Sequence, residues 1–185
     1  MGKKKINKFN NRWVIIITVS TVILAAFFSF ISDTILQNLN IYFAFLTLIA
    51  IILLGVLADI IGVAAAVANE KHFHAMASKK IEISYYALFI TKNAAKVSSF
   101  CSDVIGDIAG IISGGAGTII VINLIRDYGY GEGFFLTVIM SSMIAGLTVG
   151  GKAIGKDVAM NKSNMIVLSA ARVLKFTHRF FKFKV

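Results

Sequence analysis

Four apolar stretches, each close to the ~20 residues that carry an α-helix across a bilayer, decide what this chain folds into. The first runs from Trp13 to Ile31 and holds no charge. The second runs from Ile41 to about Ala68 and contains Asp59. The third runs from about Ser98 to Ile122 and contains Asp103 and Asp107. The fourth runs from about Phe134 to Val149, extending towards Ile154. Backbone amides at that depth meet no water and must pair within their own segment, so the pattern predicts an all-α polytopic membrane protein of about four transmembrane helices. Composition agrees: 57% of the 185 residues are hydrophobic, 15% are charged and the mean hydropathy is +0.81. A soluble domain of that size cannot bury so much apolar surface. Proline is absent, so bending falls to the 15 glycines. The first stretch exceeds the ~7–15-residue core of a signal peptide, and no small-x-small site follows it, so it reads as a helix.

The basic residues orient the spans. Lys3, Lys4, Lys5, Lys8 and Arg12 precede the first. Lys71, Lys79, Lys80, Lys92 and Lys96 follow the second. Lys152, Lys156, Lys162, Arg172, Lys175, Arg179, Lys182 and Lys184 follow the fourth. Of the 19 Lys and Arg residues only Arg126 falls on the other side. Positive charge gathers at the cytoplasmic face, so both termini are expected there, in a multi-pass protein of the plasma membrane. The same asymmetry accounts for the net charge of +10, and no nucleic-acid partner is expected. The lone Cys101 excludes an internal disulfide framework.

Three regions follow. Residues 1–40 form a basic N-terminus with the first helix. Residues 41–163 form a three-helix core with a juxtamembrane segment, 69–97, able to make one or two interfacial helices. Residues 164–185 form a basic amphipathic helix. In it Arg172, Lys175, Arg179 and Lys182 make one stripe beside Leu168, Val173, Leu174, Phe176, Phe180, Phe181 and Phe183. Such a helix is expected on the inner leaflet, with anionic lipid as partner. His72 and His74, two apart, point to different faces and do not suggest a metal site. No nucleophile is paired with a base, so no enzyme is expected.

The intramembrane aspartates carry the chemistry. Each ionised Asp at mid-bilayer costs about 2.5–3.5 kcal/mol, so three cost on the order of 8–10 kcal/mol unless water, a cation or a basic partner meets them. At 1.5 Å per residue, Asp59 and Asp107 both lie about 13 Å from the inner face. Asp103 and Asp107 share a helical face, with Ser99 and Ser102 close to it. Carboxylates and hydroxyls at one depth suit a hard divalent cation, Mg²⁺ or Ca²⁺, with Asp59, Asp103, Asp107, Ser99, Ser102 and Asn69 as candidate ligands. The competing reading pairs the aspartates with Lys152 and Lys156 in a non-transporting scaffold or regulatory protein. Gly106, Gly110 and Gly114 form a small-residue ladder for close helix packing.

From about Ile41 onward the chain resembles the transmembrane domain of the CNNM/CorB/CorC magnesium transporter family. Ala68-Asn69-Glu70-Lys71-His72-Phe73-His74-Ala75-Met76-Ala77 is similar to the family's Asn-Arg-x-x-Leu-x-x-Leu-Ala stretch. Asn93-Ala94-Ala95-Lys96 with Ser98-Ser99 is similar to its Asn-Pro-x-Arg-x-x-Ser entry into the next span. Gly151-Lys152-Ala153-Ile154-Gly155-Lys156-Asp157-Val158-Ala159 is similar to its Gly-Glu-x-x-Pro-Lys-Thr-x-Ala exit. The resemblance implies three core helices, an inner helical hairpin, a homodimer and movement of Mg²⁺. The chain departs from the family at Lys152, which replaces a glutamate, and at Gly155, which replaces a proline. Ile61-Gly62-Val63-Ala64-Ala65 stands where the family has a Ser-x-Ser-Glu-Thr motif, the first span is additional, and no CBS pair follows.

Overall fold

The computed structural model describes residues 11–36, 39–129 and 133–181. The elements are α1 (Asn11–Leu36), α2 (Ile41–Val67), α3 (Glu70–Ser78), α4 (Ile83–Lys92) and α5 (Ala94–Ser98). A π-helical stretch (Ser99–Ile105) then leads into α6 (Gly106–Tyr128), α7 (Gly133–Asn161) and α8 (Ser163–Phe181). Among the described residues, four helices are long and apolar enough to cross a membrane: Val14–Leu36, Ile41–Val67, Ala94–Asp127 and Gly133–Asn161. The all-α polytopic architecture is therefore present. The third span is longer than its apolar run, because α5, the π-helical stretch and α6 follow one another without a break. The inner segment folds as two short helices, α3 and α4. Lys182 lies outside the described residues.

α2 is the central helix and packs against α6, α7, the π-helical stretch, α5 and α8, while α1 lies against α6. In the outer half, Leu36, Leu48, Ile52, Ala116, Ile120 and Ile144 close one core between α1, α2, α6 and α7. On the inner side, Ala64 and Ala65 of α2 meet Phe73 of α3, Leu88 of α4, Ala159 of α7 and Val167 and Ala171 of α8. Phe73 is fully buried, and an aromatic of that size anchors the hairpin under the bundle.

The turns have local causes. α2 stops where Ala68 turns extended, and Asn69 then caps α3 by accepting the Lys71 N–H at 3.0 Å. Asn164 Oδ1 accepts the Asn69 N–H at 3.0 Å, which ties the start of α8 to this corner. α6 ends at Gly129, whose φ of 68° places it in the left-handed region, where its N–H closes onto the Ile125 carbonyl.

Glycine sets the closest approach in the bundle. A Cβ on Gly62 would fall 2.4 Å from Ser102 Oγ, and one on Gly55 would fall 2.8 Å from Ala109 Cβ. The expected Gly106–Gly110–Gly114 ladder divides. Gly106 is buried against α2, whereas Gly110 and Gly114 have open space where a Cβ would stand.

Candidate functional site

Asp59 sits on α2 four residues after Gly55 and three before Gly62. That spacing puts it on the glycine face turned towards α6 and the π-helical stretch. It is 4% exposed, and its Oδ2 has no hydrogen-bond partner. Across this seam Ser102 Oγ is also buried and unpartnered. The Ser98 carbonyl and the Ser102 N–H come within 3.1 Å and 3.2 Å of the point where a Gly62 Cβ would stand. A buried polar atom left unmatched costs free energy comparable to a lost hydrogen bond or more, so these two on facing helices make the seam the candidate site.

The π-helical stretch carries Ser99, Cys101, Ser102 and Asp103 on one distorted turn and a half. Such segments are rare and are found disproportionately at functional sites. Nothing in the apolar pattern announces it, because its residues are those of an ordinary amphipathic segment.

Asp107 lies on a different face. It is exposed, at 66%, and its Oδ1 accepts from Lys152 Nζ at 3.4 Å; Lys152 itself is 20% exposed. That distance is longer than the ~2.7–2.9 Å of a strong charge-assisted bond, so the pair is loosely closed. Lys152 reaches it across Gly106, its Nζ 3.5 Å from where a Gly106 Cβ would be. Asp103 is exposed as well and makes no ion pair within the described residues. Lys156 is exposed one turn inward from Lys152. Since α6 and α7 run in opposite directions, Lys156 and Asp103 lie at similar depth.

The three aspartates named as candidate ligands therefore divide into one buried carboxylate and an outward-facing pair. Among the described residues no group of three His, Cys, Asp or Glu side chains stands close enough to hold a metal. Ser102 shares the seam with Asp59, and Ser99 begins the π-helical stretch half-buried. Asn69 is elsewhere. Its carboxamide is spent on the α3 cap, about 15 Å along from Asp59. His72 and His74 are both exposed on α3, and His72 packs edge-on to Phe73 at 5.5 Å. A residue the sequence reading passed over is Thr148, whose Oγ1 is buried without a partner one turn outward from Lys152. Its spacing of four from that lysine was the available signal.

On the inner side, Lys175 of α8 donates to Glu82, at the head of α4. The ammonium holds the Glu82 carboxyl below its usual value, by hydrogen bond first and by charge second. Of the expected lipid-facing stripe, Arg172 is exposed and Lys175 is half-buried in this bridge. The Arg179 side chain lies outside the described residues.

Comparison with protein-family models, with curated proteins and with solved structures finds no match for this chain.

Proposed function

We propose that this chain is a multi-pass membrane protein of the divalent-cation transporter type, in which a hard cation such as Mg²⁺ meets Asp59 inside the bilayer. The observation that carries the reading is the Asp59 carboxylate, 4% exposed with an unpartnered Oδ2, on the seam where the unpartnered Ser102 hydroxyl packs at Gly62, one turn along α2. An ionised carboxylate so placed needs a counter-charge, and oxygen donors of this kind suit Mg²⁺, which keeps several waters of its own. Asp103 and Asp107 face away from that seam and are not ligands of the same ion, and Asp107 has Lys152 as its counter-charge. The placement of the termini in the cytoplasm, at the plasma membrane, rests on the concentration of Lys and Arg between the spans.

The outward face of α6 adds a partner to this reading. Asp103 and Asp107 stand exposed on a span, beside the open backbone of Gly110 and Gly114. Hydrocarbon is a poor neighbour for two carboxylates, and bare glycine backbone permits close approach, so a second copy of the chain suits this face.

One observation favours a second reading. The Lys152–Asp107 pair neutralises an intramembrane acid without any ion, as a non-transporting scaffold or regulatory protein requires. Mg²⁺ flux into proteoliposomes separates the two. Wild-type flux that disappears in Asp59→Asn supports the transporter. Absence of flux from folded wild-type protein, with Mg²⁺ supplied on either side in turn, supports the scaffold. Wild-type flux that persists in Asp59→Asn moves the site away from the α2 seam.

A further inference from the structure

On the inner side α4 and α8 lie side by side over a shared core containing Leu88, Val167 and Ala171, and the Glu82–Lys175 bridge spans their seam. Their other faces carry large apolar side chains into the open. On α8, Met165 is 67% exposed, and Val173 and Phe176 are each 64% exposed, around an exposed Arg172; on α4, Tyr85 is 60% exposed. Met165, Ser169, Arg172 and Phe176 follow one another at steps of four, three and four, which is a single stripe.

This surface cannot stand far from the bilayer. One residue, Lys162, separates the end of α7 from the start of α8. Val167 and Ala171 pack with Ala64 and Ala65, in the last turn of α2. α8 therefore lies at the depth where the spans leave the membrane. Aromatic and aliphatic side chains interleaved with a guanidinium at that level have the composition of a helix lying in the headgroup region.

We propose that the outer α4–α8 surface is a binding site for anionic phospholipid of the inner leaflet. Phe176, Met165, Val173 and Tyr85 lie against glycerol and upper acyl carbons, and the Arg172 guanidinium takes the phosphate in two-pronged fashion. Charge complementarity selects this occupant, because a chain of net charge +10 concentrates its Lys and Arg at this end. Lys175 is not part of the site: its ammonium is engaged by Glu82, and it fastens the two helices that form the surface. The proposal is independent of whether the chain moves a cation.

Native mass spectrometry of the full chain in detergent, supplemented with phosphatidylglycerol or phosphatidylcholine, tests it. Wild type should retain phosphatidylglycerol in preference. Arg172→Gln should lower that retention about fivefold. Arg126→Gln, at the opposite end of the bundle, should leave it unchanged. Equal retention by wild type and Arg172→Gln overturns the site. A second measurement reads position. A nitroxide on Ser169→Cys, in a Cys101→Ser background in phosphatidylglycerol-containing vesicles, should be relaxed by oxygen more than by an aqueous nickel chelate. A label open only to the aqueous relaxant overturns the proposal and leaves this face to a soluble protein or a second copy.

Discussion

Lys152 Nζ stands 3.4 Å from Asp107 Oδ1 after crossing Gly106, so an ion pair between α6 and α7 depends on a missing side chain in α6. Lys152→Ala should destabilise the protein, and Asp107→Asn should recover part of the loss, because removing one partner strands the other. A double-mutant cycle on thermal stability in detergent should give a coupling of about 1–2 kcal/mol, within the range for contacting residues. Additive losses would mean the pair contributes nothing.

Gly62 and Gly110 should differ sharply in their tolerance of alanine. The Gly62 methyl meets Ser102 Oγ at 2.4 Å and the Ser98 carbonyl at 3.1 Å, and the latter is backbone that cannot swing aside. Gly62→Ala should cost about 1–3 kcal/mol, as overpacking does. The Gly110 methyl meets nothing within 4 Å. Gly110→Ala should leave the melting temperature of a detergent-separated protomer within the ordinary scatter of surface changes. If a second copy covers this face, Gly110→Ala should weaken its association.

Asp59→Asn removes a buried charge while keeping its shape. In the absence of divalent cation the variant should melt at or above the temperature of wild type. Added Mg²⁺ should raise the wild-type melting temperature with concentration, as any ligand of the native state does, and leave Asp59→Asn unmoved. Equal shifts in both proteins would remove Asp59 from the cation site.

The Glu82–Lys175 bridge makes a directional statement about pH. The Glu82 carboxyl is held below its usual value in the folded protein. Its contribution is therefore present above the unfolded glutamate pKa and is lost as pH falls through the lower, folded one. Glu82 is solvent-exposed, so the effect is small and confined to acid. Protection of α8 amides against hydrogen exchange should weaken on acidification in wild type, and less so in Glu82→Gln.

Much of this was legible in the sequence because membrane spans announce themselves by length. The intervals found for α1 and α7 contain the apolar runs that predict them, α2 matches its run to within a residue, and Asn69, read as a candidate ligand, instead caps α3 at the corner. What periodicity cannot give is the rotation of one helix against another. Asp103 and Asp107 do share a face, as their spacing of four implies. That this face is turned outward, while Asp59 is turned inward, depends on which glycines α2 and α6 bring together. Gly55 and Gly62 made that choice, whereas the spacing of the glycines points to Gly106, Gly110 and Gly114. The inner hairpin was legible as one or two interfacial helices over 69–97, but the burial of Phe73 was not, since it comes from a core shared with residues of α2, α4, α7 and α8.

The π-helical stretch from Ser99 to Ile105 has a consequence for lineage and for engineering. Seven residues wound with more residues per turn absorb roughly one residue more than an α-helix turning through the same angle. Deleting a single residue there should relax the segment to regular α-helix and leave the helix on either side close to its present rotation. Asp103 would shift its place on the turn, while α5, with the hairpin behind it, would still meet α2 along nearly the same line. One residue of length is therefore something this segment can spare and a regular helix cannot. A one-residue deletion within it should be tolerated better than the same deletion in the middle of α2 or α6, where the flanking residues would turn by ~100°.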